Sequence, residues 1–514
     1  LTREGRNDAP VAANDAYATG EATVLNGNVI SNSGGTDSDP EGTPLTVIAV
    51  NGVATAVGAA VTLASGARLT LNSTGAFSYD PNGAFDGLDA GQRATDSFAY
   101  TVSDGALSAT ATTTVTIDGV TPAGLVLTGN NSANTLNGGA GDDSLSGRGG
   151  ADQLSGNGGR DTLNGGAGAD TVNGGAGNDV VIIQGSEATA DVLNGGDGMD
   201  TATIGGGAAV TLAGFGGFTG IEVLDGAGQA VRGTGAANVL DLSVFTTVTG
   251  LASISGLGGN DTITGSGGAD VMDGGSGADR LDGRLGDDVI VIRAAEAQSD
   301  TILGGGGTDT LRVDAAAGAV TLAGTGRISG VEMFDGAGQA VRGSSAADVL
   351  DFSIFTSVSG VASIAGLGGN DTVIGGAGGD LLTGDGGADR LDGRAGADTL
   401  AGGSGADTLT GGGDDGVFRY AAFNESPSAS RDIILDFDGA GVAGGDVIDV
   451  SQLTPGEFVF RGAAGFSGGG VPSIRYVISG GVTDLMFDDG SGGSAEMIVR
   501  INAATMFVAD DFIL

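Results

Sequence analysis

"GGAGADTVNGGAGNDVV", residues 165–181, places Asp170 and Asp179 nine positions apart, each behind a run of glycines. Val172 and Val181 follow those acids two positions later. The pattern GGxGxDxUx, with U a large apolar residue, fits five consecutive units from Gly138 to Ile182. Its sixth position is Asp143, Asp152, Asp161, Asp170 and Asp179, and looser units follow at Asp191 and Asp200. A second array carries Asp261, Asp270, Asp279 and Asp288, with Asp300 and Asp309 behind; a third carries Asp371, Asp380, Asp389, Asp398 and Asp407. Units this short cannot bury an apolar face alone, so the pattern predicts stacking of each unit on its neighbours.

Glycine permits the positive-φ turn that a Cβ would forbid. Two nonapeptides then close one coil of about 18 residues, with the apolar eighth position inward, and coils stack at about 4.8 Å. Asp152 is expected under Asp170 on one edge, and Asp143, Asp161 and Asp179 on the other. Like charges at that spacing repel by about 1 kcal/mol per pair in water and several-fold more at lower dielectric. Calcium reverses the sign, because it takes six to eight oxygens from carboxylates and backbone carbonyls at about 2.3–2.6 Å. Magnesium demands a stricter octahedron, and zinc wants His or Cys, of which the chain has none. Roughly 10–20 ions are expected over the three arrays.

Composition agrees. Of 514 residues 105 are Gly and only 8 Pro, and with aromatics at 4% and no Trp small and β-branched residues must fill the core. The net charge of −43 disfavours nucleic acid and anionic lipid as partners, since both need a positive surface. With no Cys there is no disulfide, and no run approaches the roughly 20 apolar residues of a membrane span. The predicted fold is all-β: an N-terminal antiparallel sandwich, then a long parallel β-roll or β-helix solenoid with a C-terminal β cap.

A longer period overlies the nonapeptides. "GIEVLDGAGQAVRG" from Gly220 returns as "GVEMFDGAGQAVRG" from Gly330, marking a tandem module of about 110 residues. Predicted boundaries are a leading linker 1–9, the sandwich 10–119, arrays at 127–204, 256–313 and 366–420, Asp-poor inserts at 205–255 and 314–365, and the cap at 421–514. The inserts keep nearly the strand spacing of the arrays, which favours a continued solenoid over separate small β domains. For edge units such as Asp191 and Asp309, turn capping and metal ligation both stay open.

The nonapeptide arrays resemble the RTX calcium-binding repeats of type I secreted proteins. "NDAYAT", "TDSDPEGTPLTV", "GAFSYDPN" and "DSFAYTVSDG" resemble cadherin-like or VCBS-type repeats of bacterial surface proteins. The leading "NDAP" resembles the junction between tandem copies, so Leu1 is expected to be cut from a longer chain. That resemblance also implies a junctional calcium at Asp37, Asp39 and Glu41, against a plain polar turn around Pro40. "RDIILDFDGAGVAGGDVIDVSQL" (431–453) resembles the segment closing serralysin C-terminal domains, with Asp432, Asp436 and Asp446 at its acidic positions. Gly416 stands where an Asp is expected, which leaves the last site in doubt. The final "DFIL" resembles the uncleaved secretion signal of type I substrates, which implies the type I secretion machinery as a partner during export.

No His, Cys or Lys is present to serve as general base or nucleophile, so the chain reads as non-catalytic. Glu222 recurs as Glu332, and a duplicated carboxylate suggests architecture before an active site. The leading expectation is an extracellular or bacterial cell-surface structural or adhesive protein, folding on calcium and able to self-associate into fibres or layers. The calcium-folded secretion portion of a larger enzyme is the alternative, and a passive calcium buffer the weakest.

Overall fold

Strand Ser108–Asp118 shows why the N-terminal residues leave the repeat pattern: SATATTTVTID alternates between core and solvent along its whole length. The computed structural model describes all residues except 1–5, 32–34, 86, 87, 89, 90, 121–123, 186–189, 294–298, 317, 439–444, 454–457, 467–469 and 492–493. Part of the leading segment and of the 431–453 match thus lies outside the described residues. Two compact units form, one of Leu1–Leu127 with Asn137–Ser144 and Gly156–Asp161, the other of the remaining chain to Leu514.

In the first unit two four-stranded sheets pack as a sandwich. One holds Asp15–Gly20, Ser108–Asp118, Arg93–Ser103 and Thr46–Val50 in that order; the other holds Leu25–Asn28, Ala76–Asp80, Arg68–Leu71 and Ala60–Thr62. Pairing is antiparallel except for Asp15–Gly20, which runs parallel to Ser108–Asp118. Leu69, Leu71, Phe77, Tyr79, Phe98, Tyr100 and Val115 fill the space between the sheets.

The second unit is a parallel solenoid; the protein has about 14 such turns and about 3% helix. One or two apolar side chains per strand make its core: Leu163, Val172, Val181, Leu281, Leu391 and Leu409 are all buried. Leu163 lies opposite Val181 and Leu391 opposite Leu409, so coils in the arrays repeat every 18 residues. Insert strands join the same sheets. Ala230–Arg232 pairs in parallel with Ser253–Ser255, which pairs with Val271–Asp273 of the second array.

Insert coils are wider, with Leu224 opposite Val248 and Phe334 opposite Val358. Aromatics fill the extra width: Phe215 and Phe245 meet edge-on at 5.1 Å, Phe334 and Phe352 at 5.0 Å. Short 3-10 turns at Leu242–Val244 and Phe352–Ile354 are capped by Asp241 and Asp351, each accepting a backbone N–H at 2.9 Å.

At the C-terminus the antiparallel strands Ser473–Ser479, Val482–Asp488 and Met497–Ile501 cover the solenoid end, and Met497–Ile501 pairs in parallel with Ile433–Ile434. Phe512–Ile513 adds as a last parallel strand to Val447–Asp449. The terminal "DFIL" is thus built into a sheet: Phe512 is buried against Phe460 and Phe507, and Asp511 Oδ2 accepts the Val508 N–H at 2.7 Å.

Candidate metal centre

Each repeat Asp sits at the end of a glycine turn, immediately before the strand whose apolar residue anchors it in the core. The Asp backbone N–H points along the stack and donates to the carboxylate of the next coil. Asp152 donates to Asp170 Oδ1 at 2.8 Å, Asp261 to Asp279 at 2.7 Å, and Asp371 to Asp389 at 2.7 Å, with Asp389 to Asp407 at 2.8 Å. The opposite edge carries the matching row: Asp143 to Asp161 at 2.8 Å, Asp179 to Asp200 at 2.7 Å, Asp270 to Asp288 at 2.8 Å, and Asp380 to Asp398 at 2.8 Å. The two-edge arrangement expected from the sequence is present. These N–H donors hold one oxygen of each carboxylate and offset part of the repulsion within the row.

The second oxygen divides the sites into two kinds. Oδ2 of Asp152, Asp170, Asp200, Asp261, Asp279, Asp288, Asp309, Asp371, Asp389, Asp398, Asp407 and Asp432 is buried without a hydrogen-bond partner. Asp161 and Asp179 are buried in the same rows. Beside each of these oxygens except that of Asp432 lies a glycine that admits no side chain. A β-carbon on Gly384 would strike Asp389 Oδ2 and stand 2.5 Å from the carbonyl oxygen of Gly402, one coil on. On Gly393 it would strike Asp398 Oδ2 and stand 2.6 Å from the Gly411 carbonyl oxygen. A carboxylate oxygen and a carbonyl oxygen therefore converge between coils where a neutral packing group cannot fit.

Backbone conformation separates the two kinds. Turns leading to the partnerless oxygens of the nonapeptide units carry positive φ at two places, as at Arg148 (76°) and Gly150 (111°) before Asp152, or Leu257 (71°) and Gly259 (108°) before Asp261. At Asp143, Asp270 and Asp380 the preceding turn lacks that pair of positive angles. There the N–H four residues back swings onto Oδ2: from Gly139 at 2.5 Å, Ser266 at 2.6 Å and Gly376 at 2.7 Å. These three acids, which the repeat pattern groups with the rest, act as turn caps at the start of a row. Asp446 is also saturated, accepting from Gly416 at 2.7 Å and Asp438 at 2.9 Å, so the Gly416 gap leaves a rung with no free oxygen.

Asp37 and Asp39 serve the sandwich. Asp37 Oδ1 accepts the Ala13 N–H at 2.7 Å and the Tyr100 hydroxyl at 3.3 Å, while Asp39 Oδ1 closes a turn through Glu41 and Thr43. Each keeps one buried oxygen without a partner, but the pair does not converge with Glu41 into a three-oxygen group among the described residues. The junctional site expected there is thus not assembled from side chains. The single converging group of three acids among the described residues is Asp488, Asp489 and Glu496 in the cap. Side chains alone do not surround an ion in the arrays, so backbone carbonyls must complete any shell.

Burial dominates the electrostatics. It pushes the Asp432 carboxyl up to about 8 and those of Asp288, Asp389 and Asp398 up to about 7. Neighbouring carboxylates add to it: Asp407 and Asp371 act on Asp389, and Asp270 and Asp309 on Asp288. Without a cation Asp432 favours its proton at neutral pH, and Asp288, Asp389 and Asp398 divide between the protonated and charged forms. Buried carboxylate and carbonyl oxygens, with no nitrogen or sulfur donor in the set, suit calcium.

Three family models match separate parts of the chain. The bacterial cadherin-like domain matches residues 7–119. The RTX calcium-binding nonapeptide repeat (4 copies) matches 128–163, 146–181, 255–290 and 294–317. This is an RTX-repeat protein. Its residues 346–514 match the peptidase M10 serralysin C terminal, which places the third array and the cap of the RTX chain in one domain. The solution structure of the AlgE6R3 subunit from the Azotobacter vinelandii mannuronan C5-epimerase is similar to it. That match covers 28% of the RTX chain and 77% of the subunit, at 32% identity and a TM-score of 0.22. No curated protein matches. Together the repeats and the serralysin domain indicate a calcium-binding protein exported by type I secretion. No helix among the described residues is long and apolar enough to cross a membrane.

Repeat counting passed over Glu222 and Glu332, which continue the rows. Glu222 Oε2 accepts the Asp200 N–H and Glu332 Oε2 the Asp309 N–H, both at 2.9 Å. Asp191 and Asp300 also hold rungs, accepting from Asp170 and Asp279. The signal was the row spacing, which widens to 21–23 residues at these positions and slips out of the nonapeptide frame.

Proposed function

We propose that this protein is an extracellular structural or adhesive subunit whose solenoid is completed by calcium after export. The observation that carries the reading is the recurrence, coil after coil, of a buried Asp Oδ2 without a partner beside an inter-coil glycine carbonyl. Asp152, Asp161, Asp170, Asp179, Asp200, Asp261, Asp279, Asp288, Asp309, Asp371, Asp389, Asp398, Asp407 and Asp432 would hold the ions. Calcium supplies there the positive charge that a chain of net charge −43 lacks. In a low-calcium cytosol the rungs stay empty and the chain stays exportable; outside, binding free energy becomes folding free energy.

The adhesive or structural reading draws on two further features. A cadherin-like domain precedes the solenoid, and the residues named as metal-holding are repeated along a long scaffold. Circular dichroism and electron microscopy with calcium and with EGTA test both parts. The expected result is β structure and ordered assemblies in calcium, and loss of both in EGTA. Equal structure in the two buffers overturns the calcium reading. A monodisperse, calcium-loaded chain that adheres to no surface and forms no assembly overturns the adhesive one.

A further inference from the structure

Both upstream arrays end on a glutamate where the rows call for an aspartate. We infer that Glu222 and Glu332 are ligands of a divalent cation at the exit of the first and second arrays. This rests on the calcium reading of the arrays, and extends it to two residues outside the nonapeptide pattern.

The hydrogen bond each makes is the one that a row aspartate makes. Asp179 donates its N–H to Asp200 Oδ1 at 2.7 Å, and Asp200 in turn donates to Glu222 Oε2 at 2.9 Å. Asp288 donates to Asp309 Oδ1 and Asp309 to Glu332 Oε2, both at 2.9 Å. The glutamate carboxylate thus occupies the next rung. Its extra methylene reaches across a wider coil, where Ala202 lies opposite Leu224 and Leu311 opposite Phe334.

The space above it has the composition of the sites within the arrays. Asp200 and Asp309 are fully buried, and Oδ2 of each has no hydrogen-bond partner. A β-carbon on Gly195 would strike both Asp200 Oδ2 and the carbonyl oxygen of Gly220; one on Gly304 would strike the Gly330 carbonyl and stand 2.5 Å from Asp309 Oδ2. Gly220 and Gly330 lie two residues before the glutamates and adopt φ of 56° and 62°. That left-handed turn directs the carbonyl to the oxygen of the preceding coil. The glutamate backbone is also held, since the Glu222 carbonyl accepts from Thr246 and the Glu332 carbonyl from Thr356, each at 2.8 Å. In both copies of the module the aspartate and the carbonyl are thus held by backbone, and the glutamate carboxylate is anchored beside them through one oxygen.

A merely structural glutamate needs only one oxygen to accept the aspartate N–H, and glutamine keeps that oxygen while removing the charge. The test is calcium stoichiometry of the full chain by equilibrium dialysis and atomic absorption, for Glu222→Gln, Glu332→Gln and the double variant. The expected result is a loss of about one ion per substituted glutamate with unchanged far-ultraviolet dichroism at saturating calcium. An unchanged ion count in folded variants overturns the inference. Asp389→Asn in the third array separates the two levels: if it too leaves the count unchanged, the calcium reading of the arrays fails with it. If only the glutamate variants are silent, this inference alone falls. Should the double variant fail to fold, the single Glu332→Gln variant decides by the same count.

Discussion

Leu257 holds φ of 71° and Leu367 of 77°, a left-handed conformation that costs a side-chain-bearing residue about 1–2 kcal/mol. Both lie at the second position of a turn whose Asp keeps a partnerless oxygen, a position filled by Gly275 and Gly403 elsewhere. The left-handed backbone is the open form of the turn, which does not close onto its own carboxylate as the turns at Gly139 and Gly376 do, and a leucine makes that form costlier than glycine would. Leu257→Gly should therefore lower the calcium concentration at the folding midpoint, by up to about 1 kcal/mol in apparent stability. A dichroism-monitored calcium titration measures it, and a raised midpoint would contradict the strain account. Asp389→Asn and Asp380→Asn should differ in the same assay. The first removes charge beside an open oxygen and should weaken binding at least tenfold at its rung; the second swaps a turn cap and should leave calcium binding nearly unchanged. Equal effects would erase the distinction between open and capped rungs.

At the scale of a coil, one apolar residue and one glycine carry most of the work. Leu281 is buried between Ile263 and Ile302, its neighbours in the parallel register. Leu281→Ala should cost about 2–5 kcal/mol, because a strand this short offers nothing to collapse into the cavity. Calcium-dependent thermal melting checks it. Gly168 has φ of 141°, and a β-carbon there would collide with the Gly150 carbonyl of the preceding coil. Gly168→Ala should break the first array locally, while Gly139→Ala, open on all sides, should be tolerated. Hydrogen exchange of the two variants separates these outcomes. Coil period, apolar position and Asp position were legible in the repeat. Which turns would close was not, because turns with the same GGxG spacing appear in both conformations.

For the molecule as a whole, the buried rungs couple calcium to protons. Asp432, Asp288, Asp389 and Asp398 have carboxyls raised to between about 7 and 8, against about 3.9 in an unfolded chain. The metal-free fold then binds more protons than the unfolded chain between those values, so its stability is present below about pH 4 and is lost as pH rises through about 8. In EGTA the chain should show more β structure at pH 5 than at pH 8. In saturating calcium that difference should shrink or reverse, since the ion replaces the proton. Dichroism at the two pH values, with and without calcium, tests the sign, and identical spectra in EGTA would contradict it.

Local spacing alone was sufficient for the solenoid: an Asp every ninth residue, an apolar residue two positions later and glycine turns between them allow only stacked coils. It also sufficed for calcium, because oxygen donors were the only ligands on offer. Three matters were settled only by where atoms meet in space. The inserts entered the same sheets, since their strands found parallel partners at a wider period and phenylalanines filled the gap. Asp143, Asp270 and Asp380 became caps, because an N–H within their own turn reached Oδ2 first. Glu222 and Glu332 joined the rows, because a longer side chain on a wider coil reaches the same N–H as a shorter one on a narrow coil. Periodicity records which residue faces which way, and it is blind to which neighbouring atom arrives to share the hydrogen bond.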